Sequence, residues 1–252
     1  RLAAAALDDA GLSAADIDGL ITTGVFESEI FVPSTVVEYL GIPVNFAEYV
    51  DLGGASAAAM VWRAAAAIEL GICSAVLCAI PANFLTPMNP ARLPNMGDAV
   101  HFGASSFRYG SPQAEFEIPY GYLGQNGPYA QVASMYAAAY GYDERAMAKI
   151  VADTRINANH TPGAVFADKP ATVDDVLASP LIADPLHMLE IVMPCMGGSA
   201  VLITDATLAR RSRNRPVWIK GFGERVPYKS PVYAENPLHT PMLTVAPAAF
   251  AM

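Results

Sequence analysis

Val50-Asp51-Leu52-Gly53-Gly54-Ala55-Ser56-Ala57 is the stretch whose reading decides the fold. It reads as the end of a strand, a Gly-Gly turn and the start of a helix. The run behind it, 58–71, consists of small residues with Met60, Val61, Trp62, Ile68 and Leu70. A helix that is apolar nearly all round is expected to be buried on every side. Ser74-Ala75-Val76-Leu77-Cys78-Ala79-Ile80 follows, a short continuous apolar run that suits a strand covered on both faces. Strand, turn, helix and strand make a βαβ unit whose turn presents a helix N-terminus to a ligand. Free N–H groups and the helix dipole there favour negative or developing negative charge.

Upstream, Leu2 to Gly11 reads as a helix ended by a left-handed glycine cap, and Ser13-Ala14-Ala15-Asp16 as a capping box on a short turn. Ile17 to Thr22 is a strand, Ser34 to Leu40 a helix closed by Gly41, and Val44 to Val50 the strand feeding the central turn. Downstream, Pro81 to Gly127 is an irregular excursion dense in Pro and Gly. Its aromatics Phe102, Phe107, Tyr109, Phe116, Tyr120 and Tyr122 argue for a packed lid. Helices are expected over Tyr129–Tyr140 and Asp143–Ala158, separated by Gly141. A buried strand is expected within Pro194–Thr204, a basic turn over Arg210–Arg215, a strand from Val217 to Gly221 and a helix from Thr240 to Met252.

The 252 residues carry a net charge of −9 and a pI near 4.8, which argues against a nucleic-acid partner and leaves no basic membrane patch. Hydrophobic residues are 53% and charged residues 15%, so layering or association of copies must cover much of the surface. The length allows one large or two modest domains. Cys73, Cys78 and Cys195 lie in apolar surroundings without metal-ligand spacing and read as buried free thiols of a reducing compartment. No targeting pattern and no run of about 18 apolar residues is present, so a cytoplasmic protein without a membrane span is expected. The opening at Arg1 inside a helical pattern and the apolar close at Ala248–Met252 read as a piece of a longer polypeptide.

Several segments resemble the thiolase superfamily, and above all its sterol-carrier-type thiolases and thiolase-fold aldolases. Val50-Asp51-x-x-Gly54-Ala55-Ser56-Ala57 is similar to the family's V-N-x-x-C-A-S-G nucleophile turn, with Gly54 where the cysteine stands. Asn157-Ala-Asn-His-Thr-Pro-Gly-Ala followed by Thr172-Val-Asp-Asp-Val-Leu-Ala-Ser-Pro-Leu-Ile-Ala-Asp-Pro-Leu resembles two linked motifs of the family in the right order. Pro194-Cys195-Met196-Gly197-Gly198-Ser199-Ala200-Val201-Leu202-Ile203-Thr204 is similar to its D-G-A-A-A-V-V-L strand, with Met196 in place of Asp. The resemblance implies an α/β, thiolase-like layered αβαβα fold, here incomplete, with an irregular lid. It divides the chain into a core, 1–80, a lid region with helices, 81–170, a return to the core, 171–215, and the opening of a second half, 216–252. It also implies a homodimer, a coenzyme A thioester as substrate rather than a tightly bound cofactor, and a possible small OB-fold acyl-CoA-binding partner.

A thiolase attacks the thioester with its cysteine, and Gly54 has nothing to attack with. The resemblance therefore implies retro-aldol cleavage next to a CoA thioester in lipid or steroid side-chain metabolism. Thiolysis proper and a non-catalytic acyl-CoA-binding subunit are the alternatives. Gly53 and Gly54 would let substrate approach the helix N-terminus, or serve simply as a tight turn. Met193 and Cys195 are candidates for the CoA or acyl pocket. Tyr120, Tyr122 and Tyr129 are candidates for general acids or pocket walls, against plain aromatic packing. Ser56 is expected to cap the helix, the rival reading being a hydrolase nucleophile in a context that lacks the final Gly of the elbow. Asp51 is expected to bond the turn. His101, His160, His187 and His239 have no metal or triad spacing, and Gly197-Gly198-Ser199 lacks the lysine of a phosphate loop.

Overall fold

The computed structural model describes residues 1–24, 30–80, 115–122, 124–193 and 197–252. His101, Phe102, Phe107, Tyr109, Cys195, Met196 and most of the expected lid lie outside the described residues. In chain order the first elements are α1 (Leu2–Ala10), β1 (Gly19–Thr22), α2 (Val32–Leu40), β2 (Phe46–Tyr49), α3 (Ser56–Glu69) and β3 (Ala75–Ile80). Then come α4 (Asn126–Tyr140), α5 (Glu144–Asn159), α6 (Val173–Ala178), β4 (Leu181–Ala183), β5 (Leu186–His187), β6 (Ser199–Thr204), α7 (Ala206–Arg211) and α8 (Met242–Phe250). They divide into two compact units, one of Arg1–Pro87, Cys195–Glu224 and Thr244–Met252, the other of Met88–Pro194 and Arg225–Leu243. The 172–185 motif therefore stands in the second unit.

The first unit is built on a four-stranded sheet in the order β2-β1-β3-β6. The first three strands are parallel, with Gly19 opposite both Phe46 and Val76, and β6 runs antiparallel to β3 with Ala75 opposite Thr204. Ala75, Val76, Leu77 and Cys78 are all buried, and strand alternation sends them to two cores. Val76, Cys78 and Ile21 pack with Ala59, Met60, Ala64 and Ala67 of α3. Ala75, Leu77 and Leu20 pack on the other face with Ile17 and Ile42, backed by Leu7 of α1, Val36 and Val37 of α2 and Leu208 of α7. Asp18 starts β3 by accepting the N–H groups of Ser74 and Ala75 at 2.8 Å each. The Ser13–Asp16 capping box forms as read, Asp16 accepting both the N–H and the hydroxyl of Ser13 at 2.9 and 2.7 Å.

Three expectations need correction. Helix α3 buries one stripe rather than all sides, because among the described residues only one sheet meets it; Ala57 and Ala58 are exposed and Val61, Ala65 and Ile68 half-buried. Strand β6 is an edge strand, half-exposed along its length, so it is not the fully buried strand expected. Residues 217–221 form no strand, since a ladder needs a neighbour and no described strand offers one. The segment instead presses its backbone onto α8, so closely that a Cβ on Gly221 would collide with the Ala249 carbonyl oxygen. Phe222 stacks on Trp62 at 4.9 Å, and Glu224 accepts from Trp62 Nε1 at 2.8 Å and from Arg63 at 2.6 and 3.0 Å.

In the second unit, Asp143 caps α5 by accepting the Arg145 N–H at 3.0 Å, and Thr172 and Asp175 form a capping box on α6. Asn159, from the strongest motif in the sequence, donates its amide to the Phe166 and Ala167 carbonyls at 2.9 Å each. Asn159 thereby ties down the loop after α5. Strands β4 and β5 form a short antiparallel hairpin packed on α4, turned by the cis Asp184–Pro185 bond.

Asp18→Ala leaves two strand-opening N–H groups without their charged acceptor and should cost about 1.5–3 kcal/mol in denaturant unfolding. A second measurement concerns pH. The Arg63 hydrogen bond holds the Glu224 carboxyl below the usual carboxylate range. Stability from a depressed carboxyl is present above its unfolded value, about 4.3, and is lost as pH falls through the folded value. The stability gap between wild type and Glu224→Gln should therefore stay constant from about pH 7 to 5 and close at lower pH.

Candidate functional site: the turn between β2 and α3

The turn is held at both ends by the chain's own polar groups. Val50 N–H donates to the Thr22 carbonyl at 2.9 Å, anchoring the strand end to β1. Asp51 accepts the Gly53 N–H at 3.1 Å, as expected for an aspartate that bonds its own turn. Gly53 has φ +57, a left-handed backbone that favours glycine. Gly54 does not share that conformation, and a Cβ built on it would meet nothing within 4 Å. Packing therefore does not require glycine at this position. Both glycines are exposed.

Ser56 departs from its expected role. It is the first residue of α3, after Ala55 in the capping position, and its hydroxyl reaches backwards. It donates to the Gly53 carbonyl at 2.7 Å and accepts the Leu52 N–H at 2.9 Å. The residue is 3% exposed. A buried hydroxyl with its proton committed to a carbonyl is a brace for the turn. Neither of these two backbone partners is a base, so they do not support the hydrolase reading. With Ala55 and Ser56 N–H bonded back to Leu52 and Gly53, Ala57 and Ala58 carry the first-turn N–H groups that the helix ladder cannot reach.

The two described thiols of this unit, Cys73 and Cys78, are not substitutes for a nucleophile. Burial pushes Cys78 up to about 12, and burial together with nearby Asp18 raises Cys73. Cys78 Sγ lies 3.8 Å from the Met60 carbonyl. Gly197 and Gly198 are exposed and precede β6.

The second unit holds the tyrosines. Tyr120 is 76% exposed. Tyr122 accepts a hydrogen bond from the Gln131 amide, and its ring lies against Gly127, where a Cβ would sit 2.7 Å from Tyr122 Cδ1. Tyr129 lines a cavity of about 50 Å³ with Glu117, Gln125, Lys229 and Ser230. The sequence reading missed Glu117, which is 4% exposed and accepts the Tyr233 hydroxyl at 2.8 Å on Oε1. Burial, then the bond to Glu117, raises Tyr233 above the ordinary phenol range. An acid inside the apolar run Phe116-Glu117-Ile118 was the available signal. His187 and Glu190 also sit together, with Nδ1 3.4 Å from Oε2 and Glu190 accepting the His187 N–H at 2.7 Å. His160 ends α5 and is exposed, as are His239 and Met193. Among the described residues no cluster of His, Cys, Asp and Glu could hold a metal, and no helix is long and apolar enough to cross a membrane.

No family model matches the chain. It is 31% identical over 220 residues to "17-hydroxy-3-oxo-4-pregnene-20-carboxyl-CoA lyase" of Mycobacterium tuberculosis, covering 85% of this chain and 54% of that protein. It is 31% identical over 219 residues to "Steroid side-chain-cleaving aldolase" of Thermomonospora curvata, covering 86% and 54%. The chain thus spans about half the length of the curated relatives it matches. Among solved structures, "Ltp2-ChsH2(DUF35) aldolase" superposes with a TM-score of 0.78 at 27% identity, over 98% of this chain and 61% of that one. A monomeric SCP2-thiolase-like protein from Mycobacterium smegmatis superposes at 0.66 and 19% identity, over 99% and 51%, a likeness of fold. The turn, the linked motifs after α5 and these relatives agree: the chain belongs to the thiolase superfamily and is similar to its steroid-cleaving aldolases over about half of their length.

Proposed function

We propose that this chain is part of a thiolase-fold lyase that breaks the carbon–carbon bond next to a CoA thioester by a retro-aldol step. The observation that carries the reading is Gly54: a turn shaped as a nucleophile turn, open to solvent, with room for a side chain and none present. Such a turn still presents N–H groups to a thioester oxygen. In the proposed reaction a base takes the proton of the β-hydroxyl, and the electrons of that O–H bond form the new carbonyl. The bond between the α and β carbons breaks, and its electron pair is held as an enolate whose oxygen faces the N–H donors. Protonation of the α carbon releases the shortened acyl-CoA. No covalent acyl-enzyme is needed. The names of both curated relatives, one a CoA ester lyase and one a steroid side-chain aldolase, support this assignment.

The substrate is then a CoA ester of a lipid or steroid acid bound transiently, with no resident cofactor. Gly53 and Gly54 give its thioester close approach to the start of α3. A homodimer, a small OB-fold partner that binds acyl-CoA, and a cytoplasmic setting complete the proposal; the two-component name of the solved aldolase supports the partner. A CoA-ester-binding subunit without turnover is the second reading, favoured by a turn whose hydroxyl is committed to its own backbone.

Gly54→Cys tests the site. The variant should keep wild-type stability, since the added atoms meet open space. After incubation with acetyl-CoA and acid quench, its intact mass should rise by one acetyl group, through a thiolate favoured by the helix N-terminus. The wild-type mass should not change. An acetylated wild type would contradict the non-covalent mechanism, and a folded but inert Gly54→Cys would place the thioester elsewhere. Ser56→Ala should lower stability by about 1–3 kcal/mol through the unpaired Leu52 N–H while retaining whatever turnover the wild type has. Turnover abolished in a folded Ser56→Ala would restore the serine as nucleophile.

A further inference from the structure

We propose that the cavity beside Glu117 holds a monovalent cation, bound by that carboxylate and by neutral oxygens from two other segments of the chain. The site lies wholly within the second unit, and the proposal stands independently of the lyase reading. Its lining gathers Glu117, Gln125 and Tyr129 at the start of α4, and Ser230. Glu117 is 4% exposed. Its carbonyl accepts the Tyr120 and Tyr122 N–H groups at 3.0 and 3.1 Å, so the residue is anchored through its backbone. Tyr233 donates to Oε1 at 2.8 Å, and Oε2 has no hydrogen-bond partner among the described residues. A carboxylate withdrawn from water with one hydroxyl bond calls for a positive charge nearby.

Size and donor chemistry select the ion. A cavity needs about 10–15 Å³ to hold one water, so about 50 Å³ admits an ion with a water or two. Organic ligands occupy about 300 Å³ or more. The side chains of Gln125, Tyr129 and Ser230 bring an amide carbonyl and two hydroxyls, and no thiol or imidazole shares the described lining. Oxygen-only sites suit hard cations. Calcium takes about six to eight oxygens and magnesium a near-ideal octahedron, whereas one carboxylate matches one positive charge. Ser230 is 9% exposed and precedes the 231–233 turn without capping it through its hydroxyl, which leaves that oxygen for a ligand. Asn126 and Gly127, whose N–H groups the α4 ladder cannot reach, are absent from the described lining, so the helix start is not the partner of the carboxylate. Lys229 also lines the cavity and is the rival positive charge, so the test includes its removal.

The test follows thermal unfolding of the full chain in tetramethylammonium chloride, whose cation is too large for the cavity. Sodium, potassium and ammonium chlorides are exchanged in at constant ionic strength, with calcium and magnesium chlorides as comparisons. At least one small monovalent cation should raise Tm saturably, by about 5–10 °C at a hundredfold excess over its Kd. Glu117→Gln keeps an oxygen for the Tyr233 hydroxyl. It should fold, match or exceed the wild type in tetramethylammonium, and show no response to the small ion. Ser230→Ala should weaken the half-saturation point about tenfold, and Lys229→Met should keep the response. Crystals grown with thallium(I), a monovalent ion with a strong anomalous signal, should place it beside Glu117. A wild type without saturable response, an equal response in Glu117→Gln, a preference for a divalent ion, a response confined to Lys229→Met, or a thallium peak only elsewhere would each overturn the assignment.

Discussion

Strand β3 has no face for water, and much of the first unit follows from that constraint. Its residues Ala75 to Cys78 are buried, so alternate side chains demand apolar cover on both sides of the sheet. The α3 stripe answers on one side, where Ala59, Ala64 and Ala67 let the helix come close and Met60 fills the remaining space. Helices α1, α2 and α7 answer on the other through Leu7, Val37 and Leu208. Each large side chain fully buried in this way contributes about 1.5–3 kcal/mol, and Leu20, Ile21, Met60, Val76 and Leu77 all qualify. The crossover that places α3 also carries the β2–α3 turn to the C-terminal end of the parallel strands, where open α/β sheets bind ligands.

At that end the turn is stiff and chemically plain. Asp51, Gly53 and Ser56 spend their polar groups on the turn itself, bonding it from within. Fixed donors need no reorganisation when charge develops on a thioester oxygen, and preorganised N–H groups are among the strongest aids an enzyme can give such a step. With Gly54 in this turn the proposed reaction rests on polarisation of a thioester and not on covalent capture.

The parts of this structure legible in the sequence are local ones. The Gly-Gly turn, the Ser13–Asp16 box and the continuous apolar run of β3 are written within a few residues, and each forms. The exposure of α3 could not be read, because alanine looks equally apolar whether or not a layer covers it. A serine at a helix start can brace the helix ahead or the turn behind, and Ser56 braces the turn. Residues 217–221 carry a strand's composition, but a strand also needs a neighbour. The Glu117–Tyr233 contact joins residues 116 apart in the chain and leaves no periodicity to follow.

The proposed bond cleavage is retro-aldol and not thiolytic. The most direct measurement incubates the full chain, alone and with an OB-fold acyl-CoA-binding partner, with a β-hydroxyacyl-CoA and separately with a β-ketoacyl-CoA plus free CoA. The CoA products are then identified by mass. The account predicts a carbonyl product and a shortened acyl-CoA from the hydroxy substrate only. A shortened acyl-CoA from the keto substrate, formed at the expense of free CoA, would contradict it and establish thiolysis without the cysteine.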